Sequence, residues 1–144
     1  MTDAILVRDG RSAYHIDDLG DRRVLTMEGR TYPLTRYSTR VIEMLIERKQ
    51  DRAPLYFPFR DQRAPLYLDP LFQWLRAQGD RNLAVLEVGC SFGHMTEYLA
   101  EQPEVATVTA FDVDPDFVAI VRTKVDEMRL DKVGEVKLLS NEGA

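Results

Sequence analysis

The sequence predicts an α/β fold in which a parallel sheet of three recognisable strands follows a small segment of β-hairpin and helix. From residue 83 onward, short apolar stretches alternate with stretches of helical periodicity in the order β-α-β-α-β. Helices between consecutive strands are typical of right-handed crossovers in a parallel sheet. The three strands are predicted over Leu83–Val88, Val105–Phe111 and Val136–Leu139.

The first part of the chain carries the signals of antiparallel hairpins. Asp9-Gly10 and Glu28-Gly29 each stand between two short apolar stretches, and such dipeptides favour tight turns. A helix is predicted over about residues 39–50, with Ser38 or Thr39 as its N-cap. The paired strands are predicted over Ile5–Val7 with Tyr14–Ile16, and over Val24–Met27 with Arg30–Tyr32.

Caps and apolar spacing predict three further helices. Asp69 followed by Pro70 predicts a helix that begins at Leu71, and Gly79 predicts its end after Gln78. We expect this helix to bury Leu71, Phe72, Trp74 and Leu75, with Tyr67 in the same core. The helices between the strands are predicted over residues 92–101 and 115–130, the second capped by Asp114 and packed through Phe117, Val118, Val121, Val125 and Met128. The chain thus divides into an N-terminal segment, residues 1–80, and an incomplete half-domain, residues 81–144.

The composition argues against several classes of function. A net charge of −5 is unlike that of general nucleic-acid-binding proteins, which present a basic surface. No stretch approaches the roughly 18 apolar residues of a membrane-spanning helix, and the N-terminus does not resemble a secretory signal. The single cysteine, Cys90, excludes an internal disulfide and a cysteine-rich zinc site, and we expect no metal. These features predict a cytoplasmic protein.

The chemistry-bearing motif is Val-Leu-Glu-Val-Gly-Cys-Ser-Phe-Gly-His-Met-Thr, residues 85–96. An apolar strand delivers Gly89 to its carboxyl end, where open α/β sheets bind their ligands. Gly89 allows a sharp turn and the close approach of a ligand, whereas Gly93 allows the following helix to pass closely. Ser91 is small enough to lie within the loop or to cap that helix.

Two acidic residues mark the ends of neighbouring predicted strands. Glu87 precedes Gly89 by two positions, and Asp112 ends the second strand, where an acid accepts hydrogen bonds from ribose hydroxyls. Carboxylates at both positions suit a ligand with a sulfonium and an ammonium group, and they would repel a pyrophosphate. The pair therefore favours a cationic adenosyl ligand over a dinucleotide.

These motifs resemble those of the class I S-adenosylmethionine (SAM) dependent methyltransferases, whose fold is Rossmann-like. Residues 86–93 resemble the family's acidic and glycine-rich first motif, and residues 110–115 resemble its second. The resemblance implies that the methionine part of SAM faces Glu87, that Asp112 holds the ribose hydroxyls and that Val113 lies against the adenine. The implied cofactor-binding residues are Glu87, Gly89, Cys90, Ser91, Gly93, Asp112, Val113 and Asn141.

The resemblance covers only part of the family's domain, because that domain has a seven-stranded sheet. We therefore expect a fragment, a chain whose exposed last strand pairs with a second chain or a second copy, or a fold in which the N-terminal β segment covers that edge. The strand that usually borders the transferred methyl group would begin beyond Ala144, so no catalytic base is identified.

The activity implied by the resemblance is methyl transfer from SAM to a small-molecule acceptor. The sequence leaves two alternatives open. One is a half-domain of an NAD(P)-binding oxidoreductase, and the other is a non-catalytic interaction module on a nucleotide-binding scaffold.

Overall fold

The computed structural model describes residues 5–8, 13–27, 30–48 and 63–140. The chain divides into two compact units, Met1–Phe59 and Arg60–Ala144, each with its own sheet. Within the described ranges, no helix combines the length and the apolar character needed to cross a membrane.

The first unit contains a four-stranded antiparallel sheet and one helix. Its elements are β1 (Ile5–Arg8), β2 (Ala13–Asp18), β3 (Arg23–Met27), β4 (Arg30–Leu34) and α1 (Arg36–Glu47). Both predicted hairpins are confirmed, and the pairing of β2 with β3 joins them into one sheet in chain order. The predicted turn dipeptides at residues 9–10 and 28–29 lie outside the described residues.

Helix α1 begins three residues earlier than predicted because Thr35, rather than Ser38 or Thr39, caps it. Thr35 Oγ1 accepts a hydrogen bond from Ser38 N at 3.2 Å, and Ser38 Oγ accepts one from Thr35 N at 2.7 Å. This reciprocal pair satisfies two main-chain donors and is the serine form of a capping box. The helix buries Val41 and Ile42, as its apolar spacing predicted.

The second unit contains the predicted parallel sheet. Strands β5 (Leu83–Val88), β6 (Val105–Asp112) and β7 (Val133–Leu138) lie in the order β5-β6-β7. Its helices are α2 (Arg63–Ala77), α3 (His94–Glu101) and α4 (Pro115–Met128), so the β-α-β-α-β order is confirmed. One face of the sheet is buried through Val108, Ala110 and Val136, whereas Val88 on the other face is 74% exposed. The sheet is therefore covered on one face within the described residues.

Helix α2 differs most from its prediction. It begins at Arg63, and Pro70 lies inside it rather than at its start. Pro65 occupies the first turn, where a missing N–H is tolerated. Asp69 is not a cap, since its carboxylate accepts a hydrogen bond from the Tyr98 hydroxyl. Gly79 does end the helix as predicted, with a φ of +75°.

The apolar face of α2 is narrower than predicted. Phe72 is buried and packs in the core of the parallel sheet, which places the helix in the second unit although the sequence assigned residues up to 80 to the first segment. Trp74, however, is 58% exposed, and Leu71 and Tyr67 are exposed as well. The prediction that these three side chains form core is wrong, because α2 contacts the sheet through a single stripe that contains Phe72 and Leu75.

Helix α4 and strand β7 also have shifted bounds. The Asp114 side chain caps α4 as predicted, by accepting from Asp116 N at 2.9 Å. The helix ends at Met128 because Arg129 adopts a left-handed conformation, with a φ of +53°, and Leu130 N returns to Val125 O at 3.0 Å. Met128 is exposed rather than on the inner face, and β7 begins three residues earlier than predicted, at the buried Val133.

Candidate functional site

The site is built on the turn that joins β5 to α3. Gly89 N and Cys90 N both donate to Phe111 O on the neighbouring strand, at 2.8 and 2.9 Å. Gly89, Ser91 and Gly93 have φ values of +83°, +50° and +82°, so every second residue of the turn is left-handed. Glycine adopts this conformation without steric penalty, and serine adopts it less readily. The turn is thus held open at the carboxyl end of the sheet.

Gly93 is the N-cap of α3 and packs closely against α4. A Cβ atom built on Gly93 would lie 3.2 Å from Lys124 Cδ and 3.2 Å from Val121 Cγ2. Ser91 does not cap the helix, since the cap residue is Gly93 and the helix has no side-chain cap bond. Gly93 does permit the close approach of a helix, but the side chains that pack against it belong to α4 and not to α3, the helix that follows the turn.

Asp112 ties the turn to the end of β6. Its Oδ2 accepts from Ser91 N at 3.0 Å, and its Oδ1 accepts from Asp114 N at 2.9 Å. The residue is 7% exposed. Because each carboxylate oxygen can accept more than one hydrogen bond, both oxygens keep acceptor capacity for a ligand hydroxyl.

Glu87 is a buried carboxylate beneath the turn. It is 9% exposed and accepts a hydrogen bond from the hydroxyl of Thr96, which is fully buried on α3. Burial raises the pKa of Glu87, and the charge of Asp112 adds to this, whereas the Thr96 hydroxyl and the Lys124 ammonium lower it. The balance leaves the pKa above the ordinary value of a glutamate.

The two carboxylates lie on the same face of the sheet. Glu87 pairs in register with Ala110, and side chains two positions apart on a strand share a face, so Asp112 lies on the face of Ala110 and Glu87. Burial raises the pKa of the Cys90 thiol to about 12, and the negative charges of Glu87 and Asp112 add to this effect. Such a thiol is not a nucleophile near neutral pH. Cys90 packs in the core and offers the site only its main chain.

A cavity of about 410 Å³ lies beside β5 and reaches Glu87 and Gly89. Its other walls are apolar side chains of α2 and α3: Leu68, Leu71, Phe72, Leu75, Met95 and Leu99. A Cβ on Gly89 would meet nothing within 4 Å, so the main chain there is open to a ligand. Val113, next to Asp112, presents an exposed apolar surface. These features fit SAM, which combines a cationic amino-acid part, a ribose and a flat base.

The structure brings most of the predicted site residues together. Glu87, Asp112 and the turn from Gly89 to Gly93 form one cluster at the carboxyl ends of β5 and β6. Asn141, the predicted contact to the adenine, lies outside the described residues.

Two residues of this cluster, Thr96 and Lys124, were missed by the sequence analysis. Lys124 stands three positions after Val121, within the apolar stripe of α4, and a lysine at such a position is a signal that could have found it. Thr96 gives no comparable signal, since a threonine is common on either face of a helix.

Comparison with known proteins agrees with this geometry. Residues 85–140 match the family model described as a methyltransferase domain. The malonyl-[acyl-carrier protein] O-methyltransferase of Priestia megaterium is 26% identical over 101 residues, which are 69% of this chain and 37% of that protein. The chain therefore spans little more than a third of that curated relative.

Solved structures with similarity to the chain include two proteins of larger size. The bifunctional kinase-methyltransferase WbdD is 26% identical, with a TM-score of 0.47 over 56% of this chain and 17% of that chain. The N-terminal domain of EvdMO1 with SAH bound is 18% identical, with a TM-score of 0.46 over 66% of this chain and 36% of that chain.

The family match contains the glycine turn, both carboxylates and the two crossovers of the parallel sheet. Residues 85–140 thus combine a match to a methyltransferase domain with the parallel β-α-β-α-β order of a Rossmann-like fold, and they resemble the class I SAM-dependent methyltransferases.

Proposed function

We propose that the second unit binds SAM at the carboxyl ends of β5 and β6, and that the protein transfers the methyl group of SAM to a small-molecule acceptor. The observation that carries the proposal is the pair of buried carboxylates, Glu87 and Asp112, on one face of the sheet beside a turn with three left-handed residues. Two such charges match the positive groups and the ribose of SAM.

Each residue has a defined role in this proposal. Glu87 would attract the ammonium group, and the open main chain at Gly89 would let the methionine part approach the turn. Asp112 would accept from the ribose hydroxyls while it holds Ser91 N, and Val113 would cover the adenine. Bound SAM supplies an activated methyl group on its sulfonium. The protein's contribution would be to orient that group towards the acceptor, because positioning alone accounts for a large part of such rate enhancements.

The alternatives raised by the sequence are weaker. An NAD(P)-binding half-domain is not favoured, since the family match is to a methyltransferase domain and the buried Glu87 would repel a pyrophosphate beside the turn. A non-catalytic module on the same scaffold predicts that neither SAM nor its product binds. The cytoplasmic location remains a prediction from the sequence.

Isothermal titration of the chain with SAM, S-adenosylhomocysteine and NAD tests the proposal. We expect binding of the two adenosyl-sulfur ligands, and a weakening of at least about tenfold in Asp112→Asn, because a hydrogen bond to a charged group contributes about 1.5–3 kcal/mol. Asp131→Asn, an exposed position before β7, is the matched control and should bind as the parent does. Binding of NAD alone would support the oxidoreductase, and binding of none of the three would support the non-catalytic module.

We also propose that a further strand adds to β5, supplied by a second chain or a second copy. Within the described residues β5 pairs only with β6, and Leu86 and Val88, on the sheet face opposite Glu87, are exposed. Unpaired strand edges with apolar side chains favour association. Sedimentation velocity of the purified chain should therefore detect a dimer whose population falls in Val88→Lys. A monomer at all concentrations would contradict the supply of this strand by a second copy.

The assignment of residues 1–80 to acceptor or partner contacts, and of residues 81–144 to SAM binding, is likewise a proposal. Titration of a chain that lacks residues 1–59, the first unit, would test it, since SAM affinity should survive the deletion.

A further inference from the structure

We propose that Lys124 is a positioning residue of the SAM site, which supports the glycine turn through its contact with Gly93 and supplies a positive charge that favours the ionised form of Glu87. This inference rests on the proposed function. Lys124 lies on α4, outside the two motifs that resemble the family's, and its side chain reaches under the turn that joins β5 to α3.

The first observation is contact with the turn. The Lys124 stem lies against Gly93, where an added Cβ would come within 3.2 Å of Cδ. Gly93 is the left-handed N-cap of α3, so this contact supports the residue at which the turn becomes helix. The same turn carries Ser91, whose N–H binds Asp112. Displacement of the Lys124 stem would therefore weaken the support of the turn at Gly93 and, through the turn, the contact of Ser91 N with Asp112.

The second observation is the burial of the charge. Lys124 is 2% exposed, and its Nζ lies 2.7 Å from Glu97 Oε2 on α3. A buried ion pair of this kind rarely adds stability, because an apolar side chain of similar volume fills the same space without the loss of hydration. Packing alone thus does not account for a lysine at this position.

The third observation is the surroundings of Glu87. The groups that act on it are the Thr96 hydroxyl from α3, the Asp112 carboxylate from β6 and the Lys124 ammonium from α4. Lys124 is the positive charge of this set. Burial lowers the pKa of Lys124, whereas Glu97, Glu101 and Glu87 raise it, so each partner favours the charged form of the lysine. In turn, the lysine favours the ionised form of Glu87, which is the form that attracts an ammonium group.

SAM titrations of the parent chain, Lys124→Met and Glu97→Gln test the inference across mildly acidic to mildly alkaline pH. Affinity is compared as the ratio of variant to parent at each pH, which cancels the titration of the ligand itself. We expect Lys124→Met to bind SAM at least about tenfold more weakly at neutral pH, and the ratio to recover as the pH rises, because Glu87 then ionises without the lysine. Glu97→Gln removes the carboxylate that favours the charged lysine, so its loss of affinity should be in the same direction, whereas the exposed control Lys137→Met should stay within about threefold of the parent.

Lys124→Gln is the second neutral variant, for use if the methionine side chain prevents folding, because it retains a donor for Glu97. Its SAM affinity should fall with the same pH dependence. An unchanged affinity in both neutral variants would overturn the inference, and so would a loss that is equal at every pH, since that result indicates a packing defect alone. If the parent chain itself does not bind SAM, the proposed function fails instead.

Discussion

Replacement of Gly93 by alanine tests whether the turn is as closely packed as its geometry indicates. Gly93 has a φ of +82°, and its added methyl group would come within 3.2 Å of both Lys124 Cδ and Val121 Cγ2. The substitution therefore introduces two penalties at once. One is the left-handed conformation of a residue with a Cβ, and the other is overpacking against α4.

The structure provides a control that separates the two penalties. Gly79, at the end of α2, has a similar φ of +75°, but its added Cβ would meet nothing within 4 Å. Gly79→Ala should therefore carry the conformational penalty alone, about 1–2 kcal/mol. Gly93→Ala adds an overpacking penalty of about 1–3 kcal/mol. Its total of about 2–5 kcal/mol is a large share of the roughly 5–15 kcal/mol that stabilises a typical domain.

Urea denaturation followed by far-ultraviolet circular dichroism measures both free energies of unfolding. We expect Gly93→Ala to be less stable than Gly79→Ala by about 1–3 kcal/mol. Equal losses in the two variants would refute the reasoning, because they would mean that α4 does not approach Gly93 as closely as described.

Two further predictions concern α4 and the carboxylate beneath the turn. Asp114→Ala removes the N-cap of α4 and should lower the free energy of unfolding by about 1 kcal/mol. The exposed control Asp131→Ala should change it by less than about 0.5 kcal/mol. Equal losses in the two variants would contradict the role of the cap. Burial raises the pKa of Glu87, so its ionised form destabilises the fold above that pKa and the penalty vanishes as the pH falls. Glu87→Gln should therefore raise the free energy of unfolding of the ligand-free chain at neutral pH, and this increase should shrink on acidification. The same substitution should weaken SAM binding. An increase in stability that does not depend on pH in the same urea titrations would count against a buried charge.

Predictions that rest on local patterns agree with the structure. Strand β5 has the predicted bounds, and Asp114 caps α4 just before Pro115 as expected. A strand of this kind follows from a short apolar run, and a cap depends on the next two residues along the chain. Both can therefore be predicted without knowledge of the rest of the fold.

Predictions that depend on distant contacts failed more often. Helix α2 was predicted to begin at Leu71 because Asp69-Pro70 is a good local start signal, yet the structure uses Asp69 to bind Tyr98, 29 residues away. The exposure of Trp74 has a similar cause, since the width of the buried stripe depends on which neighbours a helix meets. A helical pattern alone does not contain that information.

The sequence alone determined three features: the order of strands and helices, the glycine turn, and the placement of two acids at adjacent strand ends. These features follow from backbone conformation and periodicity, which depend on near neighbours. The contacts of those acids were set by the packed fold: Ser91 N donates to Asp112 and the Thr96 hydroxyl donates to Glu87, while the Lys124 stem lies against Gly93. These contacts join residues from separate elements, and they form only when α3 and α4 pack on the same face of the sheet. The physical reason for the difference is that burial and pairing of a charge depend on the whole core, whereas a turn or a cap depends on a few consecutive residues.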